Sequence, residues 1–358
     1  MLIRDFNSKV KIGYVPMLDC ASLIVACEKG YFKSYGVDVA LSREAGWASV
    51  REKLVNGEFH ASQAPASMVF ELSCGLGTVR TPSVTGLITA LNGNAITLSN
   101  ELWDLGVRDA KSLKTVIDRY RGKRIFTFAG VLNYSSQHYL MRDWLISGGI
   151  DPEKDVRMAI VPPPLVSSNL EKGYLDGYCV AEPWSTNCVR SGRGWVACLT
   201  SDFSPYHIEK AFVVTEAYDR ARHEEHVAIL SSLIDAARFC DAPENREEVA
   251  HILSSSRYLD LPIEHLREVL VGPFNLGHQR SADATDAIVF SRYNAGRPTH
   301  DKATWILDQI RRHGLDRDNE FLKDDTIAAL YREDLYEEAL RGLFHSLGSM
   351  PCEVGDQI

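Results

Sequence analysis

Along the chain, hydrophobic and polar positions switch between two periods. Residues 9–18 alternate as a strand does, and residues 20–28 then carry apolar side chains at helical spacing until Gly30. Residues 37–41 predict a second strand, 47–54 a helix with Gly57 beyond it, and 59–63 a third short strand. Strand and helix in repetition predict a parallel sheet with helices on its faces. Two β-prone runs, 84–91 and 95–99, are separated by the turn-forming triplet Asn92-Gly93-Asn94, where the chain is expected to cross into a second lobe. That lobe is predicted to hold helices over 109–120 and 136–146 and strands over 124–128, 156–161, 177–180 and 195–199. Residues 210–215 are again β-prone and are expected to return to the first sheet. From Tyr218 the pattern turns helical, over 228–240, 246–253, 263–271, 299–312 and 334–343. The expected fold is α/β with two lobes and parallel-rich mixed sheets. Lobe I takes 1–93 and 200–358, with a helical C-terminal extension that packs on it, and lobe II is inserted as 94–199.

Residues 177–184 read Gly-Tyr-Cys-Val-Ala-Glu-Pro-Trp, an apolar strand that stops at a carboxylate, a proline with no N–H to donate, and an aromatic. Ligands of open α/β sheets sit beyond the carboxyl ends of strands, which makes Glu182 to Trp184 a candidate site wall. The same turn also reads as a βα corner in which Glu182 caps the next helix.

Composition narrows the picture. At 358 residues with a net charge of −9, the chain lacks the basic balance that a nucleic-acid surface needs. No run of about 18 apolar residues predicts a transmembrane helix. The first residues, Met1-Leu-Ile-Arg-Asp-Phe-Asn-Ser-Lys9, show no apolar export signal, so a cytoplasmic location is expected. The eight cysteines form no Cys-x-x-Cys pair and are expected to be reduced. His223-Glu-Glu-His226 is not the His-Glu-x-x-His zinc signature, and no Walker loop, Gly-x-Ser-x-Gly elbow or dinucleotide fingerprint is present. Neither a metal, a cofactor nor catalysis is expected.

Recognition chemistry is better represented. Trp47 stands after Gly46 at a strand-to-helix corner, where an indole face serves a planar ligand or the core equally well. Asn133-Tyr-Ser-Ser-Gln-His138 opens a helix, and helix N-termini suit anions, although a serine cap explains the same residues. Lys210 starts an apolar strand and matters only if it points into a cleft.

In order and spacing, several segments resemble the substrate-binding proteins of bacterial nitrate and bicarbonate ABC transporters and their cytoplasmic relatives. They are Gly13-Tyr-Val-Pro-Met-Leu-Asp19, Ala26-Cys-Glu-Lys-Gly30, Gly46-Trp-Ala48, Leu91-Asn-Gly-Asn-Ala-Ile-Thr-Leu-Ser99, Arg142-Asp-Trp-Leu145, Gly148-Gly-Ile150, Val161-Pro-Pro-Pro164 and the 177–184 stretch. The resemblance implies a two-lobed, periplasmic-binding-protein-like (type II) fold with a small oxyanion in the cleft. It implies Trp47 as the stacking residue, Gln137 or His138 where nitrate binders place a histidine, and Lys210 where nitrate binders carry lysine and bicarbonate binders glutamate. Asn94, Thr97, Pro163 and Glu182 complete the implied ligand-binding set, Glu182 by orienting a donor or latching the lobes.

Nitrate is planar and has only acceptors, so a site for it needs donors and one positive charge, and a glutamate would be wrong there. A leaderless, stand-alone member resembles the cytoplasmic NasS-type nitrate/nitrite sensor, which holds an ANTAR-domain RNA-binding antiterminator until the anion binds. The rivals are a transporter solute-binding component whose leader is missing, a thiamine-pyrimidine-synthase-like enzyme on the same fold, and a binder of organic sulfonates or aromatic anions.

Overall fold

The computed structural model describes residues 9–283, 285–313 and 319–347; the N-terminal stretch read for an export signal, apart from Lys9, and Cys352 lie outside them. Lobe I begins with β1 (Val10–Tyr14), β2 (Val39–Arg43), β3 (Ala61–Pro65) and β4 (Ser83–Asn92). Lobe II carries β5 (Asn94–Ser99), β6 (Phe126–Gly130), β7 (Val156–Ile160), β8 (Gly177–Ala181) and β9 (Gly194–Leu199). β10 (Ile208–Thr215) returns to the first sheet, and β11 (Phe274–Gly277), β12 (Arg280–Ala282) and β13 (Ile288–Val289) follow. The strand orders are β13-β4-β10-β3-β1-β2 and β7-β6-β8-β5-β9, with β11-β12 a separate hairpin.

Both sheets are mixed, for a topological reason. β1 runs parallel to β2 and β3, and β6 to β7 and β8, as strand–helix–strand crossovers require. The two strands that carry the chain between lobes break that pattern: β10 lies antiparallel to β3 and β4, and β5 antiparallel to β8 and β9. Between β4 and β5 stands only Gly93, whose φ of 91° is open to glycine at little cost. This short passage puts Asn94, the first residue of β5, at the floor between the lobes.

All ten residues of β4 are buried, because the strand is covered on both faces. Helices His223–Asp241 and Glu333–Leu347 approach it closely at Gly86, where a side chain would meet Leu230 at 2.7 Å and Leu335 at 2.9 Å. No helix among the described residues is long and apolar enough to cross a membrane.

The C-terminal region departs from expectation. Its helices form, but it also contributes three strands, and it packs on both lobes rather than on lobe I alone. The β11–β12 hairpin reaches lobe II, where Arg280 Nη2 donates to the carbonyl of Val196 at 2.9 Å. Helix His300–Arg312 reaches it at another place, through Arg312 to Asp143 at 3.1 Å and Gln309 to Asp143 at 3.0 Å. Short strands with little alternation, and contacts made by polar tips, leave no periodic trace in sequence.

Candidate functional site

Between the lobes lies a fully buried polar cluster built from four parts of the chain. Lobe I supplies Asp19 from the turn after β1, and Glu209 and Lys210 from β10; β5 supplies Asn94, and lobe II supplies Ser136 and Gln137. Neighbours on a strand ordinarily face opposite ways. Here Ile208 lies opposite Leu91 and Lys210 opposite Ala90, so two steps on β10 match one on β4 and Glu209 is the extra residue of a β-bulge. The bulge brings both side chains to the cluster.

Ser135 caps helix Ser136–Ser147, its Oγ accepting from the His138 N–H at 3.2 Å. The next two residues, in the first turn, both donate to Glu209: Ser136 Oγ to Oε2, and Gln137 Nε2 to Oε1 at 2.9 Å. Asn94 Nδ2 donates to Oε2 at 2.7 Å, and Lys210 Nζ bonds Oε1. A carboxylate has about four acceptor positions, and all are taken.

The surroundings hold this set in place. Lys210 also pairs with Asp19 at 2.8 Å, and Gln63 Nε2 donates to Asp19 Oδ1 at 3.1 Å. Asn94 Oδ1 accepts from Gln137 at 3.0 Å. His207 Nδ1 lies 2.8 Å from the Ser204 carbonyl, which can only accept; Nδ1 therefore carries the proton and Nε2 accepts from Asn94 Nδ2 at 3.2 Å. The ammonium of Lys210 stands 5.3 Å from the centroid of the Trp47 ring, a cation–π arrangement. The indole N–H of Trp47, 1% exposed, has no partner among the described residues.

Burial opposes every charge here. For Glu209 it is outweighed by Lys210, through charge and hydrogen bond, and by the Ser136 hydrogen bond, and the carboxyl is held below its ordinary pKa. For Lys210 burial is outweighed by Asp19 and Glu209, and its pKa is raised. For Asp19 burial prevails over Lys210, and its pKa is raised. With all three ionised the trio carries one net negative charge. An added anion about 4 Å from Glu209 would meet roughly 4 kcal/mol of repulsion at an effective dielectric of 20.

Of the residues singled out in sequence, the structure thus brings Trp47, Asn94, Gln137 and Lys210 together. Pro163 is buried on the lobe II wall, and its neighbour Pro162 is what a side chain at Gly46 would meet, at 3.7 Å. Thr97 pairs with Tyr178 of β8 and, three residues from Asn94, leaves by the opposite face of the sheet. His138 is turned from Gln137 by one helical step of about 100°. It lies near Arg142 and His313, where burial, then those charges, push its pKa down to about 3.

Glu182 does cap a helix: its Oε2 accepts from the backbone and hydroxyl of Thr186 at 3.0 and 2.9 Å. The lobes are latched by its carbonyl instead, which accepts from Leu18 N at 2.7 Å, and by Trp184 Nε1, which donates to Pro16 O at 3.1 Å. Asp19, Ser136 and Glu209 were not singled out as ligands. Glu209 is the neighbour of Lys210, so the cluster holds a glutamate beside the lysine rather than in its place.

The model of the NMT1-like family matches residues 6–254. The chain belongs to that family. Among its relatives is the nitrate import ATP-binding protein NrtC of Synechocystis sp. PCC 6803, 32% identical over 93% of this chain and 50% of that protein. Another is the bicarbonate-binding protein CmpA of Synechococcus elongatus PCC 7942, 28% identical over 93% of this chain and 78% of that protein. The chain spans about half the length of the first curated relatives it matches. The crystal structure of the periplasmic nitrate-binding protein NrtA from Synechocystis PCC 6803 superposes with a TM-score of 0.89 at 27% identity, covering 96% of this chain and 91% of that one. This NMT1-like member therefore has the periplasmic-binding-protein-like fold, and these relatives are named as binding and transport proteins.

Proposed function

We propose that the protein binds a small planar oxyanion, nitrate or nitrite, between its lobes. One observation carries the reading: Asn94, Ser136, Gln137 and Lys210 converge on a single planar O–C–O group beside Trp47. Nitrate and nitrite present the same O–X–O edge and, like a carboxylate, only accept hydrogen bonds. The likeness to NrtA supports the choice. Bicarbonate is the second reading, favoured by Glu209, which accepts from the O–H group that nitrate lacks once one of its present donors turns to the anion.

The finer proposal is a cytoplasmic sensor that holds an ANTAR-type antiterminator and releases it when the anion binds. Its physical support is that both lobes meet at the site and that Trp305 of the C-terminal region lies against His207 beside it, with ring centroids 6.1 Å apart, so occupancy and outer surface are linked. For release, the anion must bind one state better than the other; tenfold preference corresponds to about 1.4 kcal/mol. The solute-binding component of an ABC transporter uses the same site and differs in partner.

Calorimetry with nitrate, nitrite and bicarbonate tests the ligand, and no heat with any of them sinks the oxyanion reading. A pull-down from extract of the source cells, with and without nitrate, tests the role. Loss of a small RNA-binding protein on adding nitrate is expected; an unchanged set of partners removes the sensor in favour of the transporter component.

A further inference from the structure

We propose that Glu209 is a resident stand-in for the ligand: its carboxylate fills the anion seat between the lobes, and a free oxyanion enters only by displacing it. The inference rests on the oxyanion reading above.

Three features of the structure support it. The carboxylate comes from lobe I, yet three of its four donors, Asn94, Ser136 and Gln137, belong to lobe II, so Glu209 joins the lobes as a captured ligand would. All its acceptor positions are filled by groups of the kind that recognise an oxyanion, namely a hydroxyl, two amides and an ammonium. Finally, Glu209 is the bulged residue of β10, the one residue of that strand with no β4 residue opposite it. Its neighbour Lys210 is tied separately to Asp19 and stays when Glu209 leaves.

Displacement explains how one site carries both a full donor set and a carboxylate. Donors and carboxylate are matched to each other until a better-fitting anion arrives. Glu209 then sets the affinity and filters ligands, because only anions that repeat the planar O–X–O footprint recover the hydrogen bonds given up.

The test compares wild type with Glu209→Ala and Glu209→Gln, using nitrate, nitrite, bicarbonate and formate in calorimetry and thermal melts. Removing the competitor is expected to tighten nitrate or nitrite at least tenfold. Formate, a free carboxylate, is expected to raise the melting temperature of Glu209→Ala and not that of wild type. If Glu209→Ala disturbs folding, the isosteric Glu209→Gln is read in its place and is expected to shift affinity in the same direction.

Equal or weaker binding by a folded variant, with wild type binding normally, overturns the stand-in role and leaves the oxyanion reading intact. Selective loss of bicarbonate also overturns it, making Glu209 a direct ligand contact. Formate rescue without any nitrate, nitrite or bicarbonate binding supports the seat and rejects the proposed ligands. No response to any of the four anions rejects both.

Discussion

The imidazole of His278 lies flat on the indole of Trp103, 3.8 Å between centroids and 4° from parallel. Trp103 belongs to lobe II and His278 to the turn of the β11–β12 hairpin, so the stack ties the C-terminal region to the inserted lobe. A hydrogen-bond contact between His278 Nε2 and Asn100 Oδ1 at 3.1 Å, and the Arg108 guanidinium 3.5 Å from the Trp103 centroid, complete the joint. Lobe II is therefore strapped from outside as well as latched at Leu18–Glu182. His278→Ala is expected to cost about 0.5–1 kcal/mol of closure. It should speed hydrogen exchange across Phe274–Ala282 and weaken anion binding by roughly two- to fivefold, the same energy written as a ratio. Unaltered exchange there would show that the stack is not a strap.

Lys210 holds two buried carboxylates, Asp19 and Glu209, and removing it leaves both uncompensated. Lys210→Met is expected to destabilise the protein by about 3–5 kcal/mol at pH 7. Without the ammonium both carboxyls have raised folded-state pKa values, so the loss is smallest at low pH and grows as pH rises. Chemical denaturation at pH 5 and pH 8 reads it; equal losses at both pH values would place the energetic role of Lys210 elsewhere. Lys210→Glu adds a third carboxylate and is expected to abolish nitrate binding.

Much of this architecture is legible in sequence because it rests on local periodicity. The turn-forming Asn92-Gly93-Asn94 stands where β4 gives way to β5, and the helices expected over 246–253 and 299–312 are found as Arg246–Ser254 and His300–Arg312. Trp47, Gln137 and Lys210 were reached through motif resemblance. Glu209 was not, since strand alternation puts it opposite Lys210, and the bulge that turns it inward arises from pairing with β4 more than a hundred residues away. The β11–β12 hairpin escaped for a different reason: a four-residue and a three-residue strand, joined through His278 and Gln279 at positive φ, show no usable period.

Glu182 is the second buried acid that should show itself in pH dependence. Burial, opposed by the Thr186 hydrogen bonds, pushes its pKa up to about 7 from an ordinary 4.5. The folded protein therefore holds a proton that the unfolded chain releases. The resulting stabilisation is fully present below about pH 4.5 and is lost as pH rises through about 7, a change of about 3 kcal/mol. Glu182→Gln keeps an acceptor for Thr186 and cannot ionise. The variant is expected to gain on wild type across that window and to stay ahead above pH 7; a stability difference flat from pH 4.5 to 8 would contradict the raised pKa.

Gln137 and His138 are adjacent in sequence and opposite in consequence. The amide of Gln137 donates into the cluster at 2.9 and 3.0 Å, while His138 sits on another helical face, kept neutral by burial beside Arg142 and His313. Deleting a hydrogen bond to a charged group costs about 1.5–3 kcal/mol, so in the Glu209→Ala background, where no resident carboxylate shares the loss, Gln137→Ala is expected to weaken anion binding by roughly 10- to 150-fold. His138→Asn should leave affinity within about twofold. Its effect belongs to stability: a histidine whose pKa is lowered favours the folded state above about pH 6.5 and loses that contribution as pH falls toward 3. His138→Asn should therefore flatten the acid limb of the stability curve without touching ligand binding. A large affinity loss in His138→Asn with little in Gln137→Ala would reverse the assignment and move the anion seat toward His313.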